Sequence, residues 1–248
     1  MSDQNIHKAV IHVSGLNKSF GDNQVLRNFN VDLHEGENLV VLGKSGSGKS
    51  VLIKCIIGLM LPEAGRIEVF GENVPELGQQ QLDAMRVKVG FLFQSNALYD
   101  SMTVRENLEF PLRRHWSKEI KDNVDDLVME ALNNVGLPET VNMMPEELSG
   151  GMKKRIALAR TLILKPKIIL YDEPTTGLDP ITGKEISRLM LDIQKKYNTS
   201  SIIISHDMNC VRLTANQIVL LTNGACYATG TYEEFKKSND PKIKQYFD

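Results

Sequence analysis

The residues with the clearest chemistry form a glycine-rich loop, Gly43 to Ser50, that reads Gly-Lys-Ser-Gly-Ser-Gly-Lys-Ser. This segment fits the P-loop pattern, in which glycines let backbone N–H groups wrap closely around phosphate oxygens. The helix expected next presents the positive end of its dipole to the same anion. Lys49 adds a full positive charge near the terminal phosphates, and the Ser50 hydroxyl can hold Mg²⁺. The loop therefore predicts a site for a nucleotide and its metal ion.

Two adjacent acids, Asp172 and Glu173, follow an apolar segment, residues 167–171, that is typical of a buried strand. An aspartate at the end of such a strand can hold Mg²⁺ through its water shell. The glutamate can accept a proton from an attacking water. Because neighbouring residues on a strand point to opposite sides, we expect the strand to separate these two roles.

Two other polar residues at predicted strand ends are weaker signals. Gln94 follows the apolar segment 87–93, and its amide oxygen could contact Mg²⁺ or water. His206 follows the segment 201–205 and could hydrogen-bond a terminal phosphate or the attacking water. A lone histidine in such a place is more often only a strand-end residue.

A second predicted anion site lies far along the chain, at Leu148-Ser149-Gly150-Gly151-Met152. It places a serine and two glycines at the start of a predicted helix. One nucleotide has no use for two such sites from one chain, whereas two chains arranged head to tail use both. The sequence therefore predicts a homodimer in which Ser149 of one copy faces Lys49 of the other.

The elements that position these residues follow from hydrophobic patterning. Residues 8–15 and 25–33 alternate in the manner of strands, and the run 38–42 is typical of a buried strand. Helical patterning dominates roughly 95–165, after which strand and helix patterns alternate again. Asn223-Gly224 predicts a hairpin turn. This order indicates an α/β fold with an inserted helical lobe.

Composition sets further bounds. With 248 residues and 42% hydrophobic content, the chain suits one large α/β domain or one domain with an inserted lobe. The 29 Lys+Arg and 31 Asp+Glu residues nearly cancel, so bulk charge predicts neither a nucleic-acid nor an anionic-membrane partner. Three widely spaced cysteines without a CxxC argue against a disulfide framework or zinc site and favour a reducing cytosol.

Membrane signals are also missing from the sequence pattern. Residues 1–9 are polar and contain no apolar core of a secretory signal. The longest apolar stretch, residues 51–61, contains Lys54 and is too short to span a bilayer. If the protein serves a membrane process, another chain must supply the membrane part.

Taken in order, these motifs resemble the ABC ATPase family over nearly the whole chain. The resemblance implies a P-loop NTPase (RecA-like) core with an N-terminal antiparallel β subdomain and an inserted α-helical subdomain. It implies a single ABC ATPase domain over 1–248, with 1–94 and 166–248 as the α/β core and about 95–165 as a helical signalling subdomain. ATP and Mg²⁺ are the implied cofactors, and ATP hydrolysis coupled to transport is the implied activity.

The resemblance also implies residue roles. Glu173 matches the catalytic glutamate, Gln94 the Q-loop glutamine and His206 the switch histidine of the family. Phe20 falls where the family stacks an aromatic ring on adenine, with Val25 packing beside it. The implied metal-binding residues are Ser50, Gln94 and Asp172. The implied nucleotide-binding residues are Phe20, Val25, Gly43, Lys44, Ser45, Gly46, Ser47, Gly48, Lys49, Ser50, Val51, Ser149, Gly150, Gly151 and Asp179.

Three stretches are similar to the ATPase subunits of Mla/Mce-type lipid transport systems: residues 50–59, 92–104 and 148–155. In the last, Met152 stands where the commonest ABC signature has Gln. The stretch 92–104 lies where the family docks its permease helix. The resemblance implies a peripheral homodimer at the cytoplasmic face of the inner (plasma) membrane. Its implied partners are an integral-membrane permease and a lipid-binding Mce-type protein, with phospholipid as the expected cargo and no nucleic acid.

Other interpretations stay open. An ABC-type ATPase can act in a non-transport assembly complex or on nucleic acid, although such chains often carry coiled arms, zinc modules or tandem cassettes that are not seen here. An importer or exporter motor for another substrate fits the same motifs. An interaction protein that uses ATP only as a structural switch would not need Glu173 and His206. A small-molecule kinase would have no use for Ser149 and Asp179.

Overall fold

The computed structural model describes residues 9–115 and 117–247, except for the side chain of Lys118. The prediction that residues 1–9 contain no secretory signal concerns a segment of which the structure describes only Ala9. Two sheets and the helices around them make up the described chain. The strands are β1 (Ala9–Phe20), β2 (Asn23–His34), β3 (Asn38–Leu42), β4 (Ala64–Val69), β5 (Glu72–Asn73), β6 (Val89–Leu92), β7 (Ile168–Asp172), β8 (Ser200–Ile204), β9 (Gln217–Thr222) and β10 (Ala225–Gly230).

The helices lie between and after these strands. Within the described residues, no helix combines the length and the apolar character needed to cross a membrane. The helices are α1 (Lys49–Ile56), α2 (Gln79–Val87), α3 (Val104–Arg113), α4 (Lys118–Asp122), α5 (Val124–Asn134), α6 (Gly150–Leu162), α7 (Pro180–Tyr197), α8 (Met208–Thr214), α9 (Tyr232–Lys237) and α10 (Pro241–Lys244).

A six-stranded sheet in the order β10-β9-β3-β8-β7-β6 forms the centre of the molecule. Strands β9, β3, β8, β7 and β6 run parallel, and β10 pairs antiparallel to β9 at one edge. Parallel strands covered on both faces are apolar throughout, and every residue of β3, β7 and β8 is buried. The carboxyl ends of these strands meet at one edge of the sheet, where ligands of such folds bind.

Each face of this sheet supports its own core, because side chains alternate along a strand. Leu39 and Val41 of β3 pack on one side with α1 and with the antiparallel sheet β2-β1-β4-β5. Val40 and Leu42 pack on the other side with residues of α3, α5, α6 and α7. The α/β fold, its antiparallel sheet and its helical insertion agree with the predicted fold class.

Helices α3 to α6 fill the stretch between β6 and β7. The capping box at the start of α3 is formed by Thr103 and Glu106: the Glu106 N–H donates to Thr103 Oγ1 over 3.2 Å, and the Thr103 N–H donates to Glu106 Oε2 over 2.8 Å. The predicted hairpin is also confirmed. Asn223 and Gly224 both have positive φ angles, 51° and 78°, as a type I′ turn requires.

Candidate nucleotide site

The P-loop joins the end of β3 to α1, and its shape depends on two glycines. Gly48 has a φ of 103°, and a β-carbon there would lie 2.9 Å from Val25 Cγ1. A β-carbon on Gly43 would lie 2.7 Å from both the Leu221 carbonyl oxygen and Ser47 Oγ. Larger residues at either position would therefore displace the loop. Val25, predicted to contact the nucleotide, also packs behind this loop.

The side chain of Lys49 contacts the first residues of the P-loop. Its ammonium group donates to the carbonyl oxygens of Gly43 over 2.8 Å and of Lys44 over 3.0 Å. Burial lowers its pKa, while the negative charges of Glu173 and Asp172 act in the opposite direction. An ammonium group has three donors, so one remains for a phosphate oxygen.

The loop also contains a buried hydroxyl without a partner. Ser47 Oγ makes no hydrogen bond within the described residues. Such an atom costs free energy unless a ligand or water satisfies it. Ser47 lines a cavity of about 670 Å³ that also contains Lys44, Ser45 and Gly46. The adjoining cavity has a volume of about 600 Å³, within the range of nucleotide-sized pockets. It is lined by Val25, Gly43, Lys44, Ser45, Gly46, Gly48, Lys49, Ser50, Val51, Gln94, Glu173, His206 and Tyr246.

Oxygen ligands suitable for Mg²⁺ lie in this cavity and next to it. The Ser50 hydroxyl donates to Asp172 Oδ1 over 3.0 Å, and Gln94 lines the same cavity. The described residues contain no group of three His, Cys, Asp or Glu side chains that could hold a metal on its own. A hydroxyl, a carboxylate and an amide oxygen fit an ion whose remaining ligands are phosphate and water oxygens.

The surroundings of Asp172 disfavour the charged form of its carboxylate. Burial raises its pKa, and the hydrogen bond from Ser50 offsets part of that rise. The neighbouring charge of Glu173 raises it further. A divalent cation at this position would relieve all of the unfavourable interactions together.

Glu173 and His206 form a pair at the edge of the cavity. His206 Nδ1 lies 2.8 Å from Glu173 Oε2, and Thr176 Oγ1 donates to the same oxygen over 3.2 Å. Strand β7 ends at Asp172, and Glu173 has a left-handed φ of 51°. The strand thus ends between the two acids, and a turn rather than strand alternation sets the direction of Glu173. The two carboxylates have different partners, Ser50 for Asp172 and His206 and Thr176 for Glu173, and their separate roles stay a prediction.

The second predicted anion site is a separate cleft. Ser149 caps α6, with its hydroxyl accepting from the Met152 N–H over 3.2 Å. Gly150, Gly151 and Asp179 line the same cleft, which shares no lining residue with the P-loop cavity. Asp179 itself caps α7 by accepting from two backbone N–H groups. The two predicted anion sites thus lie in two distinct clefts of one chain.

Phe20 is placed differently from the other predicted residues. It ends β1 with 49% of its surface exposed, and it does not line the P-loop cavity. The Lys18 ammonium group lies 5.4 Å from the centre of its ring. The ring is exposed and available for stacking, but the described chain does not bring it into the phosphate site.

Sequence reasoning missed Tyr246. It follows α10 and lines the cavity beside Lys44, far from the P-loop in sequence. Burial raises the pKa of the Tyr246 phenol, and a hydrogen bond from the Lys44 backbone N–H offsets part of that rise. No motif links this aromatic residue to the P-loop, so only the fold of the tail reveals the contact.

A parallel sheet with a P-loop after β3 and two acids at the end of β7, with β8 between these strands, defines a P-loop nucleoside triphosphatase. More than half of the chain, residues 26–176, matches the ABC transporter family. The chain therefore belongs to that family, and it is an ATP-binding, ATP-hydrolysing subunit.

Several known proteins are similar over most of this chain. A probable ribonucleotide transport ATP-binding protein, mkl of Mycobacterium leprae, is 39% identical across 95% of this chain and 68% of its own length. The intermembrane phospholipid transport system ATP-binding protein MlaF of Haemophilus influenzae is 35% identical across 97% of this chain and 91% of its own. The ATP-binding cassette MJ0796, solved as a dimer in a post-hydrolysis state with ADP and Pi, is 31% identical. It superimposes with a TM-score of 0.79 over 89% of this chain and 98% of its own.

Proposed function

We propose that this chain is the ATPase subunit of a lipid transporter, with phospholipid as the cargo. The observation that carries the cargo is the similarity to MlaF along nearly the full length of both chains. The chain would act as a homodimer at the cytoplasmic face of the inner membrane. Its partners would be a membrane permease and an Mce-type lipid-binding protein.

In the proposed dimer, two copies lie head to tail and enclose two ATP molecules. Ser149, Gly150 and Gly151 of one copy would face Lys49 and the P-loop of the other. This arrangement uses both predicted phosphate sites, which lie in two clefts with no lining residue in common. The two chains hold together while both contact the same terminal phosphate, so hydrolysis releases them.

The proposal assigns a role to each site residue that the sequence predicted. Phe20 and Val25 would hold the adenine, and the loop from Gly43 to Val51 would hold the phosphates. Ser50, Gln94 and Asp172 would hold Mg²⁺, which neutralises charge on the terminal phosphates when bound. Asp179 would contact the partner's nucleotide site.

Glu173 is the proposed general base. Within the described residues, both of its hydrogen bonds from side chains end on Oε2, so Oε1 is available to take a proton from water. His206 fixes the carboxylate by its contact with Oε2, and 64% of the histidine side chain is exposed toward the cavity side. It could therefore turn toward a terminal phosphate without disturbing the core.

A groove beside Gln94 supports the permease partner. Phe93, Tyr99 and Phe110 are exposed by 36%, 42% and 42%, although large aromatic side chains are normally covered. The ring centres of Tyr99 and Phe110 lie 4.8 Å apart, and the groove encloses about 450 Å³. Exposed aromatic clusters mark protein interfaces. We assign this groove to a permease helix and the region of about 95–165 to the signalling subdomain.

The proposal is tested by purification of the tagged chain from its native membranes, followed by mass spectrometry of proteins and lipids. We expect a multi-span permease, an Mce-type protein and phospholipid. Phe110→Asp should lose the permease, whereas Leu61→Asp, at a 65% exposed apolar residue outside the groove, should keep it. Recovery of a soluble assembly complex or nucleic acid, without a membrane protein, would contradict the transporter.

A second candidate is a permease motor for a different cargo. The name of the mycobacterial relative refers to ribonucleotide transport, and that relative is 39% identical to this chain. Recovery of a permease without an Mce-type protein or bound phospholipid would favour this alternative. The same purification therefore separates the two candidates.

A further inference from the structure

A buried lysine on α6 has no role in the chemistry described above. Lys154 lies shortly after the Ser149–Gly151 motif, and only 2% of its surface is exposed. Within the described residues it forms no ion pair closer than 4.0 Å. Burying an ammonium group without a carboxylate partner is unfavourable. A methionine of similar length would fill the same space without that cost, so the charge itself requires an explanation.

The ammonium group of Lys154 contacts the main chain of Gln94. It donates to the Gln94 carbonyl oxygen over 3.0 Å, while the Gln94 side chain lines the nucleotide cavity. The negative charge of Asp172 also acts on Lys154 and opposes the effect of burial, which lowers the lysine pKa to about 8. Lys154 thus lies behind two of the three proposed metal-binding residues.

A second cation of the same helix holds the next part of the loop. The Arg160 guanidinium donates to the carbonyl oxygens of Asn96 over 3.0 Å and Ala97 over 2.8 Å. Asn96 and Ala97 have left-handed φ angles of 64° and 53°, a conformation that non-glycine residues adopt only where surrounding contacts fix it. Charge-assisted hydrogen bonds from α6 therefore hold the loop at Gln94 and again two and three residues later.

We propose that Lys154 is a positioning residue, which fixes the backbone at Gln94 so that its side chain stays directed into the nucleotide cavity. It also joins the Gln94 loop to the helix that begins at Ser149. When α6 moves toward or away from a partner chain, the Gln94 carbonyl moves with it. The proposal rests on the proposed role of Gln94 at the metal.

The test compares Lys154→Met with Lys154→Arg, which keeps the charge, and with Lys153→Met, the same change at the adjacent and more exposed position. Hydrogen–deuterium exchange of residues 93–99 is measured in the nucleotide-free protein. We expect Lys154→Met to raise exchange in this loop about tenfold, because the loss of a hydrogen bond from a charged donor releases the backbone. Lys153→Met should leave exchange in the loop unchanged.

Steady-state ATP hydrolysis provides the second readout. We expect Lys154→Met to lower kcat about tenfold with KM for ATP within about twofold of the original, as for other residues that support a metal site from behind. Lys154→Arg should restore most of both properties. If the methionine variant does not fold, Lys154→Leu, which also removes the donor and the charge, takes its place.

Unchanged loop exchange in Lys154→Met would overturn the positioning role irrespective of what Gln94 does, because this measurement involves no nucleotide. Raised exchange with the original kcat would instead show that the Gln94 loop does not control turnover. That result would remove both the proposed role of Gln94 and the functional part of the Lys154 proposal.

Discussion

The hydroxyl of Ser50 donates to the carboxylate of Asp172 over 3.0 Å, which joins the first turn of α1 to the end of β7. This contact connects two strands of the central sheet at the edge where the phosphate loop lies. It also leaves the Asp172 carboxylate buried, with 6% of the residue exposed, and the positive charges of Lys54 and Lys49 offset only part of the effect of burial. The nucleotide-free chain is therefore arranged for a metal at a cost to its own stability.

This cost predicts that Asp172→Asn stabilises the nucleotide-free protein. Burial raises the pKa of Asp172 in the folded chain, so folding becomes less favourable as pH rises through the ordinary aspartate range and the folded chain must carry the charge. At pH 7 we expect the free energy of unfolding to rise by about 1 kcal/mol, or about 2–4 °C in Tm. Thermal unfolding monitored by circular dichroism measures the change.

The same variant should lose Mg²⁺-dependent ATP hydrolysis, so stability and activity change in opposite directions. Repeating the unfolding about one pH unit below the ordinary aspartate pKa of about 3.9 provides the control, because Asp172 is then largely protonated in both states and the gain should shrink. A loss of stability in Asp172→Asn at pH 7 would show that the carboxylate strengthens the nucleotide-free fold and would contradict this interpretation.

Lys49→Ala should abolish tight ATP binding. The side chain supplies the charge nearest the proposed terminal phosphates, and removing one partner of a buried charge pair typically costs several kcal/mol. We expect roughly hundredfold weaker binding or worse. Titration with a fluorescent ATP analogue measures the affinity. Lys49→Arg is the matched variant: it keeps the charge but cannot reproduce both contacts to the loop carbonyls. Normal affinity in Lys49→Ala would exclude this cavity as the phosphate site.

Local signals in the sequence predicted much of this site. The P-loop and the turn at Asn223-Gly224 each depend on neighbouring residues, and the structure contains both. The buried strands β3, β7 and β8 were predictable for a related reason, since a strand covered on both faces is apolar at each position.

Elements that depend on distant partners were not predicted. Strand β4 begins with exposed Ala64 and Gly65 and exists through its pairing with β1. Helix α2 begins with three polar glutamines and buries only Met85. Neither segment has the periodicity that identifies an element from its own sequence.

Parts of the site also could not be predicted from local sequence. The left-handed turn at Glu173, the contact of Tyr246 with the P-loop and the buried position of Lys154 all arise from packing between segments far apart in the chain. The polar tail and the charged helix α6 are locally consistent with a solvated surface. Tertiary structure alone distinguishes a buried lysine from an exposed one in such a sequence.

Ser149→Arg should prevent association of two copies around ATP. The added side chain would occupy the cleft that we assign to the partner's phosphate. It would not change the packing of the core, so the variant should still fold. Ser117→Arg is a matched control, because Ser117 also caps a helix through its hydroxyl but lies on α4, outside that cleft. With ATP present, analytical ultracentrifugation should find the Ser149 variant monomeric and the Ser117 variant unchanged. Dimer formation by Ser149→Arg would place the interface elsewhere.

The most direct test of the central claim, that two copies enclose ATP and Glu173 removes the proton from water, uses Glu173→Gln. The glutamine keeps the size of the side chain and can still contact His206, but it cannot accept the proton. We expect ATP binding to persist and hydrolysis to fall by at least about 100-fold. Light scattering coupled to size exclusion, with Mg²⁺ and ATP, should then give twice the mass of one chain, and ADP should give a single chain. A monomer with ATP, or hydrolysis at the original rate, would contradict the account.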